Sequence, residues 1–521
     1  MGRCAGQPHR GEDFPRRWAA RPPYPVAVLI YDELTAAERA LWDAFPEGRR
    51  VDLRTGVPEE DDPATGAEWG AGRTVRAEVV AALLLGGGPA RPGGVAALRL
   101  AGARITGPLD LAGAEISHLL ELTECHLEGA VSLHAASTRS VRITGSRLPG
   151  VDAGLAHVEG HLSLNWSVVE PGFLSLINAR ISGELLLNGA RISTSEPWAV
   201  FAGGLAMGGG VFCRDGFVTR GGVRLPGAQL GGGLFLPGAR LDNPDGEALI
   251  ADNATTTVID LSGGFHASGT VRLRGARVSD LLTLDGATLD GAGTALFGVG
   301  MQVGTFGFGL AAKPAGTVDL QGATVTALHD RARSWPDEVR LDGLVYGSLH
   351  SEVAPGQENV TRRLAWLRRN PGYAPQPYEQ LAACYRQAGH DDDARRVLLA
   401  KQRHRRTTLN APGRVWGRLL DATVGYGYRP WLAALWMGAL CLLGGLVFSA
   451  GSPVQTKDGE GAPFNALVYT VDLLFPVGDF GQRGAWHWTD ATQWFAYLLV
   501  AVGWLLTTAV VAGVTRTLNR N

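Results

Sequence analysis

Lysine, cysteine and net charge are all scarce in this 521-residue chain. Three lysines stand against 45 arginines, charged residues make up 19%, and the formal net charge is −2. A chain so nearly balanced has no basic excess with which to wrap a nucleic acid, and no nucleic-acid partner is expected. The five cysteines (Cys4, Cys125, Cys213, Cys384, Cys441) are scattered and form no C-x-x-C pair, which excludes the common zinc and dithiol redox spacings. The twelve histidines include no H-E-x-x-H, so no metal is expected. There is no G-x-x-x-x-G-K-[ST] phosphate loop and no G-x-S-x-G elbow. Gly307-Phe-Gly-Leu-Ala-Ala312 matches a relaxed dinucleotide fingerprint, but Lys313-Pro314 follows at once and would stop the helix that the fingerprint requires. No catalytic residue and no cofactor is therefore assigned.

What the chain has in excess is glycine, 72 copies, without the period of collagen. Many recur inside one ten-residue template, G-x-h-x-h-x-G-A-x-h, where h is apolar. It reads Gly107-Pro-Leu-Asp-Leu-Ala-Gly-Ala-Glu-Ile116, Gly183-Glu-Leu-Leu-Leu-Asn-Gly-Ala-Arg-Ile192 and Gly221-Gly-Val-Arg-Leu-Pro-Gly-Ala-Gln-Leu230. Two later copies begin at Gly269 and Gly316, so the last three starts lie 48 and 47 residues apart. Alternating apolar residues mark a short strand with one buried face, and the Gly-Ala pair marks a corner taken to be too tight for larger side chains. Such a strand cannot bury that face alone, so the fold class expected is mainly β, a parallel β-helix or solenoid whose coils stack in register. About a dozen strands and on the order of ten coils or fewer are expected. Shorter variants occupy 119–122, 131–133, 162–164 and 174–176, and 243–257 reads as an excursion between coils.

The flanks read differently. Residues 1–30 form a leader rich in Arg, Pro and Gly, without the apolar core of a signal peptide. An α-rich cap is expected over 31–94: Thr35 and Glu38 make a capping box before Leu41, Trp42 and Phe45, a second helix covers 75–85, and the acidic run 58–63 is a solvated loop between them. The solenoid follows over 95–350. A helical hairpin over 357–410 has Gly389 at its turn and Asp391 as cap.

The last part, 411–521, is expected to cross a membrane twice. Residues 431–450 and 494–515 contain no charge and are long enough to span hydrocarbon. Thirteen arginines between 357 and 429 oppose six acidic residues, which by the positive-inside rule places both termini and the solenoid in the cytoplasm of a multi-pass protein. The lipid bilayer would then be one partner. The apolar segment 464–475 and the turn after it sit between the spans, where Asp472 and Asp479 are the candidate polar positions of a loop or pore. The spacing Ala509 to Gly513 would allow close helix packing.

The stretches Leu41-Trp-Asp-Ala-Phe45 and Val75-Arg-Ala-Glu-Val-Val-Ala-Ala-Leu-Leu-Leu-Gly86, the repeated Val-Arg-Leu-x-Gly-Ala strands, and Tyr378-Glu-Gln-Leu-Ala382 together carry a resemblance. The chain resembles bacterial proteins commonly labelled membrane-associated oxidoreductase, over nearly everything after residue 30. That label implies redox activity but supplies no residue to carry it. The strands are also similar to pentapeptide-repeat solenoids, with looser spacing. Three functions are expected in order: a membrane-anchored scaffold that presents its solenoid to a protein partner or to a second copy, an oxidoreductase, and a two-span channel or sensor subunit.

Overall fold

The computed structural model describes residues 30–88, 91–351, 357–424, 430–457, 463–475, 478–489 and 491–518. Cys4 and nearly all of the expected leader lie outside them. The chain winds about 11 turns of parallel β-solenoid, which fall into two compact units, Met1–Ser195 and Glu196–Asn521.

In the first unit most strands are two to five residues long, and every coil repeats the one before it. Leu98, Leu120, Val141, Leu162 and Leu185 lie over one another through parallel pairings, and none is more than 1% exposed. On the opposite sheet Leu109, Val131, Val151 and Leu174 form a second column, also shut off from solvent. Each such side chain contributes roughly 1.5–3 kcal/mol by leaving water, which offsets the entropy of ordering the short strand that carries it.

The Gly-Ala corner is tight at some copies and open at others. A side chain placed on Gly113 or Gly227 would meet no atom within 4 Å, but the backbone at both is left-handed, with φ of +68° and +67°. Ala114 N donates to Leu111 O and Ala228 N donates to Leu225 O, which closes turns whose third residue needs positive φ. At Gly113 and Gly227 glycine is there for conformation, whereas at Gly189 and Gly275, also left-handed, a β-carbon would run into Trp166 and Asn253, so these corners are tight as well. The following alanine at 228, 276 and 323 is buried under the corner.

The unit begins with a helical cap, as expected. Helix α1 (Ala36–Ala44) opens with a capping box: Glu38 N donates to Thr35 Oγ1 at 3.2 Å and Thr35 N donates to Glu38 Oε2 at 2.9 Å. Helix α2 (Ala77–Leu84) follows, and the strands 50–52 and 74–76 start the two sheets by pairing with 99–101 and 104–106.

The second unit has longer strands. Val223, Leu249, Val271, Leu296 and Val318 stack in succession and stand 22 to 26 residues apart. The repeat of 47 or 48 residues seen in sequence is thus two coils, and 243–257 is mostly not an excursion. It supplies parts of strands Arg240–Ile250 and Thr255–Asp260, with a local register shift between Asp242 and Glu247.

After the last coil come α3 (Gln357–Leu367), α4 (Gln376–Gln387), α5 (Asp391–Thr407) and α6 (Ala411–Val424). The expected hairpin is present as α4 and α5, with Gly389 at φ +78°, but His390 rather than Asp391 holds the cap position.

The expectation of two membrane spans is corrected. Helices α7 (Pro430–Ser449), α8 (Ala466–Leu474), α9 (Gln482–Ala485) and α10 (Thr492–Leu518) form. Among the described residues, however, no helix is long and apolar enough to cross a membrane. Residues 431–450 include Gly438, Gly444 and Gly445, and 494–515 include Gly503, Thr507 and Thr508, which add little to transfer into hydrocarbon. Part of the apolar surface is used internally, where Phe448, Tyr469, Leu473, Leu474, Trp488, Ala496 and Leu499 form a buried cluster. The side chains of 509–513 lie outside the described residues.

The multi-pass placement and its orientation fall with the spans. Four of the thirteen arginines counted for the orientation pair with nearby carboxylates: Arg403 and Arg406 with Asp421, Arg395 with Asp392 and Arg396 with Asp393.

Candidate functional site

Two places in the second unit gather polar chemistry. The larger is a trough of about 1040 Å³ across successive coils. It forms where strands Thr255–Asp260, Arg277–Thr283 and Gln302–Phe308 change direction, and their registers shift between Thr256 and Val258 and between Val278 and Leu281. Gln229, Thr255, Arg277, Gln302 and Thr324 stack in one row as its first wall. Thr257, Ser279 and Thr326 line the other wall, together with Gly231 and Gly304, which have no side chains to fill it.

The floor is apolar. Met207, Leu230, Val278 and Val303 belong to the inward row, yet they keep 7%, 3%, 2% and 5% exposure, where most columns of the same unit are at 0 or 1%. All four are buried, with a few per cent of their surface left open at the base of the trough. Arg277 is the only charged residue lining the trough, and it forms no ion pair among the described residues. No side-chain hydrogen bond within the protein occupies Gln229, Gln302, Thr255, Thr257, Ser279, Thr324 or Thr326 among the described residues. Parallel strands space the rows at ~4.8 Å, so the trough offers a repeating set of free amide and hydroxyl groups beside one cation.

The second place is closed. Arg363, on α3, sets both its terminal nitrogens on Asp330, at 2.7 and 2.6 Å, and both side chains are buried. Burial opposes the charge on Arg363, and its bonds to Asp330 outweigh that, so its pKa is raised. Trp335 Nε1 donates to the same carboxylate at 2.6 Å. Tyr346 OH, Trp366 Nε1 and Tyr385 OH lie buried without hydrogen-bond partners among the described residues, and burial pushes the Tyr346 hydroxyl far above its ordinary value. The cavity beside the pair is about 50 Å³, room for a water molecule rather than a substrate.

Around this knot the helices satisfy the backbone of the last coil. Leu341 N donates to Asn370 Oδ1, Gly343 N donates to Gln376 Oε1, and Gln380 Nε2 donates to Tyr346 O. An edge that would otherwise present a row of unpaired groups is thus covered by side chains. Its chemistry is that of a seal.

Asp472 and Asp479 have structural roles. Asp472 is fully buried and accepts from the backbone N–H groups of Phe480, Gln482 and Arg483 at 3.1, 3.0 and 2.9 Å, which ties the turn at α9 to α8. Asp479 is exposed and accepts from Gly481 N at 2.8 Å. Both candidate residues of the loop are engaged in these turns.

Of the four described cysteines, Cys125 and Cys213 are buried, while Cys384 and Cys441 are partly exposed. Burial pushes the Cys125 thiol up to about 12 and the Cys213 thiol higher still, so neither supplies the thiolate that nucleophilic or redox chemistry needs. Gly307 and Phe308 end a strand paired to Asp330's strand rather than opening a helix, which removes the dinucleotide reading. Among the described residues no group of three or more His, Cys, Asp or Glu side chains is placed to hold a metal ion.

Sequence reasoning did not find the trough. Its wall residues alternate with buried ones as on any strand, and only the bend gathers them. No family model, curated protein or solved structure matches the chain.

Proposed function

We propose that the chain is a binding or scaffold protein and that the polar trough of the second unit is its recognition face. One observation carries this reading: rows of hydroxyl and amide groups without side-chain hydrogen bonds among the described residues, set over an apolar floor. A surface that only had to be soluble would be convex and mixed in charge, whereas a concave row of unsatisfied donors and acceptors suits an elongated partner. The stacked columns beneath hold the walls at fixed spacing, so little ordering entropy opposes binding.

The test uses the full chain and a variant, Ser279→Trp, that fills the trough with an indole. Thermal unfolding of both is followed in the presence of glycan, nucleotide and peptide panels. At least one class should raise the midpoint of the wild type and leave the variant unmoved. The reading is overturned if every compound that stabilises the wild type stabilises the variant equally.

A further inference from the structure

We propose that the occupant of the trough is a linear polysaccharide carrying carboxylate groups. This rests on the reading of the trough as the recognition face and adds the chemistry of what fills it.

The shape of the trough selects a chain. Five successive strands contribute Gln229, Thr255, Arg277, Gln302 and Thr324, a row about 19 Å long at the usual strand spacing. One step of the row is close to the length of one pyranose unit in an extended glycan, so successive sugars meet equivalent positions. A peptide laid along the same axis does not match, because its side chains on one face recur at ~6.8 Å, two residues of extended chain.

The chemistry of the walls selects hydroxyl-rich units. Gln229 and Gln302 each offer a donor and an acceptor on one amide, and Thr255, Thr257, Ser279, Thr324 and Thr326 each offer both on one oxygen. Sugar hydroxyls need the same mixture. The floor of Met207, Leu230, Val278 and Val303 gives the apolar faces of the rings a surface to cover.

The charge selects an acid. Arg277 stands in the middle of the first wall, between Thr255 and Gln302, and no carboxylate lines the trough. Its planar fork has no ion-pair partner among the described residues and matches a carboxylate through two parallel hydrogen bonds. A single cation over five strands calls for an anionic group on some units of the ligand rather than a densely charged polymer, and a nucleic acid would ask for several.

The experiment measures binding of two probes to the purified full chain by titration calorimetry: the hexamer of galacturonic acid and a neutral β-1,4-glucose hexamer of the same length. The uronate hexamer should bind more tightly than the neutral one. Arg277→Gln should weaken the uronate hexamer at least about tenfold, the loss expected for a hydrogen-bonded charge pair, and weaken the neutral hexamer by a clearly smaller factor. Ser279→Trp and Thr326→Trp should abolish binding of both probes. All three replacements are at exposed side chains, and circular dichroism checks that each variant is folded.

If both hexamers bind equally and Arg277→Gln changes neither, the acidic class is wrong while the trough remains the binding face. If neither hexamer binds but a peptide or a second copy of the chain does, and Ser279→Trp removes it, the polysaccharide is wrong and the trough again survives. Binding of the uronate hexamer that persists in both tryptophan variants overturns this inference and the reading beneath it.

Discussion

The two units are built from the same repeat and use it differently. In the first, strands such as 131–132, 151–152 and 174–175 pair residue for residue without a register shift. In the second, strands lengthen to seven or eleven residues, bend, and shift register where they bend. Regular stacking buries side chains and leaves a smooth outer face. A bend turns the outer face inward locally and gathers side chains that a straight strand would hold apart. Any recognition by this chain should therefore be sought in the irregular unit, with the regular one as the measure of what stacking alone provides.

The largest effect expected is at the seal of the second unit. Arg363→Ala leaves Asp330 charged and buried with only Trp335 Nε1 as donor, and removing one partner of such a pair costs about 3–5 kcal/mol. Hydrogen exchange should speed up across 324–330 and 345–351 while strands 97–101 and 119–123 keep their protection. Loss of protection in both places alike would show that the second unit does not hold its own stability. Replacing both partners, Asp330→Leu with Arg363→Met, should restore much of the loss, because no charge is then stranded.

Next come the columns. Leu122 is fully buried between Leu100 and Ile143, where neighbours cannot move in to fill a gap, so Leu122→Ala should cost about 3 kcal/mol. Val303 lies under the trough and is already 5% exposed, so Val303→Ala should cost about 1 kcal/mol. Chemical denaturation of each variant gives the comparison. Equal costs would mean that the floor of the trough is as well packed as the regular columns.

Much of this was legible in the sequence, for a physical reason. A left-handed corner followed by a small buried residue almost dictates Gly-Ala, and an inward row dictates alternating aliphatics, so the copies at 107, 183, 221, 269 and 316 announce the stacking. The coil between the copies at 221 and 269 was missed because its corner is Asn253-Ala254, with Asn253 at φ +55°, and the next one turns at Gly300-Met301. Asparagine tolerates the left-handed region and hides the template. The trough was not legible, because a register shift leaves no mark on the pattern of polar and apolar residues. The two spans were expected from length and lack of charge, but among the described residues no helix is long and apolar enough to cross a membrane, and the arginines near them were counted before Asp421 and Asp330 were known to pair with Arg403, Arg406 and Arg363.

Titration should separate the units by sign. Burial pushes Glu38 of the first unit up, but its bonds to Arg76 and to Thr35 outweigh that, and the net shift is below the ordinary 4.5. A lowered carboxylate stabilises the fold above its unfolded pKa, and that contribution is lost as pH falls from about 4.5 through the folded value. Burial raises Asp319 of the second unit, with Asp342 adding to it against the bonds from Gln321 and the charge of Arg340. A raised carboxylate destabilises the fold when ionised, so stability is regained as pH falls through its folded value. Glu38→Gln should lower stability at neutral pH and flatten its decline in acid, whereas Asp319→Asn should raise it at neutral pH. Unfolding midpoints of the two variants between pH 7 and 3 decide the signs, and a shift in the same direction for both would remove the distinction.

The smallest effect concerns the corners. The first unit places side chains at left-handed positions that the second gives to glycine, asparagine or aspartate: Leu155 has φ +59° and is 55% exposed, and its N–H donates to Ile177 O at 2.8 Å to continue the ladder. Gly227 holds the equivalent place in the second unit, with φ +67°, and donates to Asp252 O at 2.7 Å. A β-carbon in this region costs roughly 1–2 kcal/mol against the following carbonyl, partly returned by the stiffer unfolded chain. Leu155→Gly should therefore raise stability by up to about 1 kcal/mol, and Gly227→Ala should lower it by about 1 kcal/mol although the added methyl meets nothing within 4 Å. Opposite signs in denaturant titrations would establish that backbone conformation decides which residue turns the coil at open corners such as Gly227, and a neutral Gly227→Ala would remove that account.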